Sequence, residues 1–343
     1  MTSFLRSGRS RPVAIWLFVV AAMVFAMVIL GGSTRLTNSG VSITQWELLS
    51  GTIPPLNLHQ WQAEFDHYKQ IPQYRLMNQG MTLDGFKSIF WWEWSHRQLG
   101  RLVFLACIVP LAWFVWRRMI PGHLIWRGGV VVILVVLQGV VGIWMVKSGL
   151  VNRTEVAPER LTLHLGLALI LFCFLIWTGL EAWAGQKRPF SRERWPIAAG
   201  ALAGLVFLQI LLGGLVAGNR AGLIYNDWPL YGGRLFPADY QDGSLWHSLL
   251  HSMAAVQVNH RMVAYLLLAA AWIVAWRAQR SRYLSRTIVT LALALAVLVT
   301  LQALLGIGVL MMQVPLPMAL AHQTTAALVL ALAIGFAWRT QRV

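Results

Sequence analysis

Apolar residues run in long blocks along this chain, separated by short polar links. A membrane-spanning helix needs about 20 mainly apolar residues. Eight stretches meet that length, at about 13–36, 95–116, 127–147, 161–183, 196–217, 257–276, 287–311 and 319–338. The pattern predicts an all-α polytopic membrane protein. The first run is too long for the apolar part of a signal peptide, and no small-residue cleavage site follows it. It is therefore expected to be a retained helix. The links are unequal. A long one covers residues 37–94 and a second covers about 218–255, whereas those at 148–160 and 312–318 are short. In the first, Trp61, Phe65 and Tyr68 fall at i, i+4 and i+7 after Pro54-Pro55. That spacing predicts a short amphipathic helix lying on the membrane surface. Asp84 is placed to cap a helix that runs through Phe86, Ile89 and Phe90 into the second span.

Composition supports this reading. Of the 343 residues, 57% are hydrophobic and only 12% are charged. Soluble domains carry about 25% charged residues, so a soluble enzyme and a disordered chain are both excluded. The 18 tryptophans suit an interfacial aromatic belt.

The net charge of +16 raises the question of a polyanionic partner, and its distribution answers it. With the N-terminus in the cytoplasm, the cytoplasmic segments hold sixteen basic residues. They are Arg6, Arg9 and Arg11; Arg117, Arg118 and Arg127; Lys187, Arg188, Arg192 and Arg194; Arg277, Arg280, Arg282 and Arg286; Arg339 and Arg342. Only Glu181 and Glu193 oppose them, a net of +14. The other twelve bases meet ten acids on the outer side, a net of +2. The charge therefore orients the chain by the positive-inside rule. Both termini are expected in the cytoplasm of a bacterial inner membrane, and nucleic acid is not an expected partner.

The chain also repeats itself. Gly31-Gly32, Gly40, Trp46, Leu48, Gly51 and Pro55 match Gly213-Gly214, Gly222, Trp228, Leu230, Gly233 and Pro237 at an offset of 182. His96-Arg97, Leu137-Gln138 and Gly142-Ile143 match His260-Arg261, Leu301-Gln302 and Gly306-Ile307 at 164, and His164 matches His322 at 158. Each half, 1–190 and 191–343, holds four spans. An even number keeps both halves in the same orientation. Two four-helix bundles related by a pseudo-twofold axis along the membrane normal are therefore expected.

The chemistry rests on histidines. His96, His164, His260 and His322 each start an even-numbered span, so all four are expected near the outer, periplasmic face. An imidazole inside a membrane needs a partner. It can be a hydrogen-bonded contact between helices. Two imidazoles from facing helices also suit axial ligation of a haem iron, and recurrence in both halves favours that reading. Zinc fits poorly, because no Cys or carboxylate cluster completes a tetrahedral set. Arg97 and Arg261 follow the first histidine of each half; either can pair with a haem propionate or snorkel to headgroups. Glu93 lies three residues before His96, on the same helical face, whereas its repeat mate is the uncharged Gln257. A carboxylate beside a macrocycle can act as a base or steady a cation, or be merely a solvated interfacial acid. The difference suggests one catalytic haem site and one electron-transfer site. Cys107 and Cys173 form no motif and are expected to be small core residues. His247 and His251 have helical i,i+4 spacing but no third ligand. His59 and His67 are expected to face solvent, and His123 lies in a cytoplasmic link.

The stretch Phe90-Trp91-Trp92-Glu93-Trp94-Ser95-His96-Arg97-Gln98-Leu99-Gly100-Arg101 resembles the haem A synthase family, as do Val258-Asn259-His260-Arg261 and His322-Gln323-Thr324. With all four histidines in register, the resemblance covers nearly the whole chain. It implies oxidation of the C8 methyl of haem O to a formyl group, through an alcohol intermediate (haem I), to give haem A for cytochrome oxidase. It implies that His96 and His164 flank the haem O substrate in the N-terminal half. His260 and His322 would ligate a resident haem b, and Glu93 would match the family's essential acid. The chain lacks the loop cysteine pairs of some bacterial members and looks like the subgroup shared by proteobacteria and mitochondria. Expected partners are haem O, membrane lipid and an electron acceptor that the sequence does not name. A haem O synthase and a second copy of the chain are candidate partners. The alternative class is a dihaem b-type electron-transfer protein without methyl chemistry. A transporter is the least favoured, because the ionisable groups gather near one face rather than at the midplane.

Overall fold

The computed structural model describes residues 8–46, 50–185 and 195–342. Arg6, Leu48, Lys187, Arg188, Arg192, Glu193, Arg194 and the expected junction at 190 lie outside the described residues. In chain order the helices are α1 (Arg11–Leu36), α2 (Leu58–Tyr68), α3 (Pro72–Met77), α4 (Leu83–Trp116), α5 (Ile125–Val151) and α6 (Pro158–Ala184). They continue as α7 (Trp195–Gly218), α8 (Leu245–His251), α9 (Met253–Arg280), α10 (Arg286–Met311) and α11 (Leu316–Thr340). Eight of these, α1, α4–α7 and α9–α11, are long and apolar enough to cross a membrane. No strand occurs among the described residues.

Local sequence sets the helix ends. Proline sits in the first turn of α1, α6 and α11, where its missing N–H costs nothing. Ser252 opens α9 by accepting from Ala255 N at 3.2 Å. Thr82, not Asp84, caps α4, accepting from Gly85 N at 3.2 Å. Asp84 lies inside the first turn and pairs with Lys87 at 2.9 Å, where a negative charge suits the helix dipole.

In the first long link one feature differs from the sequence-based expectation and one agrees with it. The helix over 58–68 forms, but its apolar face meets protein rather than lipid. Phe65 and Tyr68 are buried, their ring centroids 5.1 and 5.3 Å from Phe86, and Trp61 meets Phe90 at 4.9 Å. The partner is the early part of α4, which starts at Leu83 and runs through Phe86, Ile89 and Phe90 into the second span as expected. Its 34 residues span roughly 50 Å at about 1.5 Å per residue, against about 30 Å of hydrocarbon. The first turns of α4 therefore stand clear of the membrane core and support the link.

Within the first half, α1 packs on α4 and α6, and α5 packs on α4 and α6. In the second, α7 packs on α9 and α11, and α10 packs on both of these. One apolar core gathers around Val24, Val131 and Leu175 in the first set; the other, around Leu202, Leu295 and Phe336 in the second, also takes in Leu169 of α6. Between the sets, α6 meets α7 and α11, and α11 meets α1.

These cross-contacts pair residues with their own repeat mates. Arg35 Nη2 donates to Ala217 O at 2.7 Å, and Arg220 Nη2 donates to Asn38 Oδ1 at 2.8 Å; each pair is 182 positions apart. Gly32 faces Gln323, and its mate Gly214 faces Leu165, the mate of Gln323. Contact sets that repeat with roles exchanged are the signature of an isologous interface. Glu155 closes this junction, paired with Arg35 at 2.9 Å and with Arg220. At the other end of α6, Arg127 pairs with Glu181, and Arg9 and Arg342 donate to Ala184 O and Gly185 O at 2.9 and 2.6 Å. Cations there complement the helix C-terminus.

Candidate functional site

The four repeat-related histidines stand on α4 (His96), α6 (His164), α9 (His260) and α11 (His322). His96 and His164 are near enough to interact electrostatically, as are His260 and His322. Each ring rests on a glycine of a neighbouring helix. A Cβ added at Gly31 would lie 3.0 Å from His96 Cε1, and one at Gly213 3.2 Å from His260 Cε1. At Gly142 and Gly306 the distances to His164 and His322 Cε1 would be 2.9 and 2.7 Å. Those glycines are the repeat matches of the sequence, and the absent side chain is what lets the imidazoles approach.

Glutamines complete three of the four positions. Gln209 Nε2 lies 3.1 Å from His260 Nδ1 and donates to His260 O at 3.1 Å. Gln302 Nε2 lies 3.1 Å from His322 Nδ1 and donates to His322 O at 2.8 Å. Gln138 Nε2 lies 3.2 Å from His164 Nε2 and donates to His164 O at 3.1 Å. His96 has no such glutamine; its Nδ1, like that of His164, is buried with no hydrogen-bond partner. The register mate of Gln209 is Met27, an offset of 182.

Glu93 is 3% exposed, which excludes a solvated interfacial acid. Its Oε2 accepts from Ser42 Oγ and Ile43 N, both at 2.8 Å. Its Oε1 accepts from Arg97 Nε at 3.1 Å and Nη2 at 2.6 Å. Arg97 also donates to Ile43 O at 2.7 Å and Gln45 O at 3.0 Å, and its guanidinium lies 4.6 Å from the Trp46 ring centre. The carboxylate and guanidinium together tie α4 to the segment leaving α1.

The second half keeps this device with the polarity inverted. Gln257 Nε2 donates to Ala221 O and Ile224 O at 2.6 Å, while its Oε1 accepts from Arg261 Nη2 at 2.8 Å. Arg261 donates to Tyr225 O at 2.7 Å and Leu230 O at 2.8 Å and covers Tyr231 at 4.2 Å. The first loop turns an O–H and an N–H toward position 93. The second turns two carbonyls toward 257. An acid suits the first and an amide the second. The Glu/Gln difference thus has a local packing cause as well as a chemical consequence. Neither arginine snorkels to headgroups: both guanidinium groups are held by loop carbonyls, and Arg261 is buried.

The remaining candidates stand apart. The His247 and His251 rings lie 5.1 Å apart on α8, with His247 Nδ1 2.9 Å from Asp242 O. Among the described residues, no group of three or more His, Cys, Asp or Glu side chains is placed to hold a metal ion. A two-imidazole haem site falls below that number of side chains. His59 is exposed, whereas His67 is half-buried, 3.3 Å from Gln45 Nε2. Cys107 and Cys173 are free thiols packed with the apolar cores.

Sequence reasoning passed over Gln209, and gave no role to Gln138, Gln302 or the four glycines. A signal existed, since an amide inside an apolar span must find a partner. Ser42 and Ile43 carried no such signal, because their role depends on loop geometry.

The family model COX15-CtaA, described as cytochrome oxidase assembly protein, matches residues 14–334. The chain is 57% identical to a protein of Caulobacter sp. (strain K31) described as "Heme A synthase", over the full length of both. It is 56% identical over the full length to one of the same description from Caulobacter vibrioides. A third, from Parvibaculum lavamentivorans, is 50% identical over 78% of each chain.

Proposed function

The chain belongs to the cytochrome oxidase assembly protein family, and from that premise we propose that it acts as a haem A synthase on haem O. The reaction oxidises the C8 methyl by two successive hydroxylations, through the alcohol, and loss of water leaves the formyl group. The carrying observation is a histidine pair that recurs in both halves, with a buried carboxylate beside only one of the two. The residues fit a haem. Each half offers two imidazoles from helices that pack on the same two neighbours and face each other across the set, the donor set of a bis-histidine iron site. The buried, unpartnered Nδ1 atoms of His96 and His164 also support a missing polar partner in the first half.

In this reading residues 1–190 form the substrate half and 191–343 the resident half, arranged as two four-helix bundles. His96 and His164 hold haem O; His260 and His322 hold haem b. When bound, haem b supplies one-electron transfer. The glycines under the rings set how closely each imidazole stands to its helix neighbour, and the glutamines hold three of the rings. Glu93 is a fixed, desolvated negative charge whose four donors leave it few free lone pairs. That favours electrostatic steadying of charge developing at the methyl carbon over proton abstraction. Arg97 and Arg261 position the outer loops over the two sites. The charge distribution supports cytoplasmic termini in a bacterial inner membrane, with both sites toward the periplasm.

The test is a mass-resolved haem extract of the purified full-length protein after expression with haem O. Haem A, with or without its alcohol precursor, is expected beside haem b. Haem b with unaltered haem O would instead indicate a dihaem electron-transfer protein.

A further inference from the structure

The seams between neighbouring helices are not the same in the two halves. In the second half α9 and α10 pack closely, and so do the other neighbouring pairs of both halves; α4 and α5 touch far less than these repeat mates do. In their most apolar stretches 11% of α4 and of α5 is buried, against 28% of α9 and of α10. The spans that join the halves are α1, α6, α7 and α11. The α4–α5 seam therefore faces the bilayer.

Residue size accounts for the looser seam. Ala275 and Ala278 of α9 and Ala296 of α10 are buried in the second core. Their mates at the offset of 164 are Leu111, Phe114 and Val132. Small residues let membrane helices approach closely, and the larger mates prop the first pair apart. Contact is kept toward the cytoplasmic end, where a Cβ on Gly128 would lie 2.7 Å from Leu111 Cδ1.

A polar latch is also missing from the first half. Trp272 Nε1 donates to Thr300 Oγ1 at 3.0 Å, across the α9–α10 seam. Trp272 is 43% exposed, so this bond lies on the rim that faces lipid. The mates of the pair are Ile108 and Val136, whose side chains have neither donor nor acceptor.

We infer that the α4–α5 seam is the passage by which haem O enters the first site from the bilayer and haem A leaves it, and that the Trp272–Thr300 bond bars the same passage in the second half. Haem O carries a long farnesyl-derived chain and lies in lipid before it binds. A seam that faces lipid admits it without exposing that chain to water. The inference rests on the proposed assignment of substrate and resident halves.

The test closes the seam in the full-length protein. Ile108→Cys and Val136→Cys, in a chain with Cys107→Ser and Cys173→Ser, are joined by a short bis-maleimide, and intact mass identifies the joined chains. Haem O is then supplied from phosphatidylcholine vesicles to the protein in lipid nanodiscs. Joining before loading should abolish the Soret rise that His96→Ala removes. Joining after loading should trap that haem against empty vesicles, with its absorption and low-spin EPR signal unchanged. In the second half, Trp272→Phe should quicken release of the haem that His260→Ala removes by about 3–20-fold, the range set by one hydrogen bond between membrane helices. Uptake at the unjoined rate in the joined protein overturns the inference. So does unchanged release from a folded Trp272→Phe protein, which decides alone if the joined protein does not fold. A wild-type protein that holds haem b but takes up no haem O overturns the functional reading beneath it.

Discussion

At the scale of single residues, the site is built from absences as much as from side chains. Gly306 leaves room for His322 at a distance where a Cβ would lie 2.7 Å from Cε1, whereas Gly213, under His260 in the same half, leaves 3.2 Å. Gly306→Ala should therefore push His322 off its position, at an overpacking cost of about 1–3 kcal/mol, and lower the bound haem b. Gly213→Ala needs the ring to yield by only a few tenths of an ångström and should keep most of it. Haem content per protein, read from the Soret band, checks this ranking; the reverse order would contradict it. The Glu93–Arg97 pair is the second residue-scale device. Removing one member of a buried pair strands the other, at about 3–5 kcal/mol. Arg97→Met should lower the unfolding temperature and release the 42–46 segment, raising the accessibility of Trp46 to a fluorescence quencher. An unchanged protein would show that the pair holds nothing. The sequence singled out Glu93, Arg97 and all four histidines as candidates. It did not reveal that both arginines serve loop carbonyls, because backbone acceptors leave no residue-type signature.

At the scale of elements, apolar run length placed all eight long helices, and their boundaries moved by only a few residues except in α4. There the run ends at the membrane edge, yet Phe86, Ile89 and Phe90 continue the helical stripe because α2 covers them. Periodicity shows that a face is apolar; it does not say whether lipid or protein covers it. The outer loop of the second half offers a pH test. The Gly232 and Gly233 N–H groups donate to Asp227 at 2.8 and 2.9 Å, at glycines with φ of +61° and +77°. Those bonds, with Gly233 contributing most, hold the Asp227 carboxyl below the usual carboxylate range. A depressed folded-state pKa stabilises the loop above the ordinary carboxylate pKa and loses that effect as pH falls through the depressed value. Acidification through that window should change the fluorescence of Trp228, whose Nε1 donates to Tyr265 Oη at 2.9 Å. Asp227→Asn should flatten the acid transition. A transition that persists in the variant would assign it to another group.

At the scale of the whole molecule, the repeat offsets foretold more than internal similarity. Arg35 meets Ala217 and Asn38 meets Arg220, so repeat mates touch where the halves join. The offset pattern alone held no information on which helices face each other across that junction, since all eight are apolar nearly all round. The same offsets expose departures from symmetry, among them Glu93 against Gln257 and Met27 against Gln209. On the proposed assignment, the first of these marks the reacting half within one duplicated frame.

The most direct test of that separation is the mass-resolved haem extract of full-length Glu93→Gln beside the wild type, both expressed with haem O. The account predicts haem b at the wild-type level in the variant, because His260 and His322 lie in the other half, with haem A lost. Haem A at the wild-type level in a folded Glu93→Gln protein would contradict it.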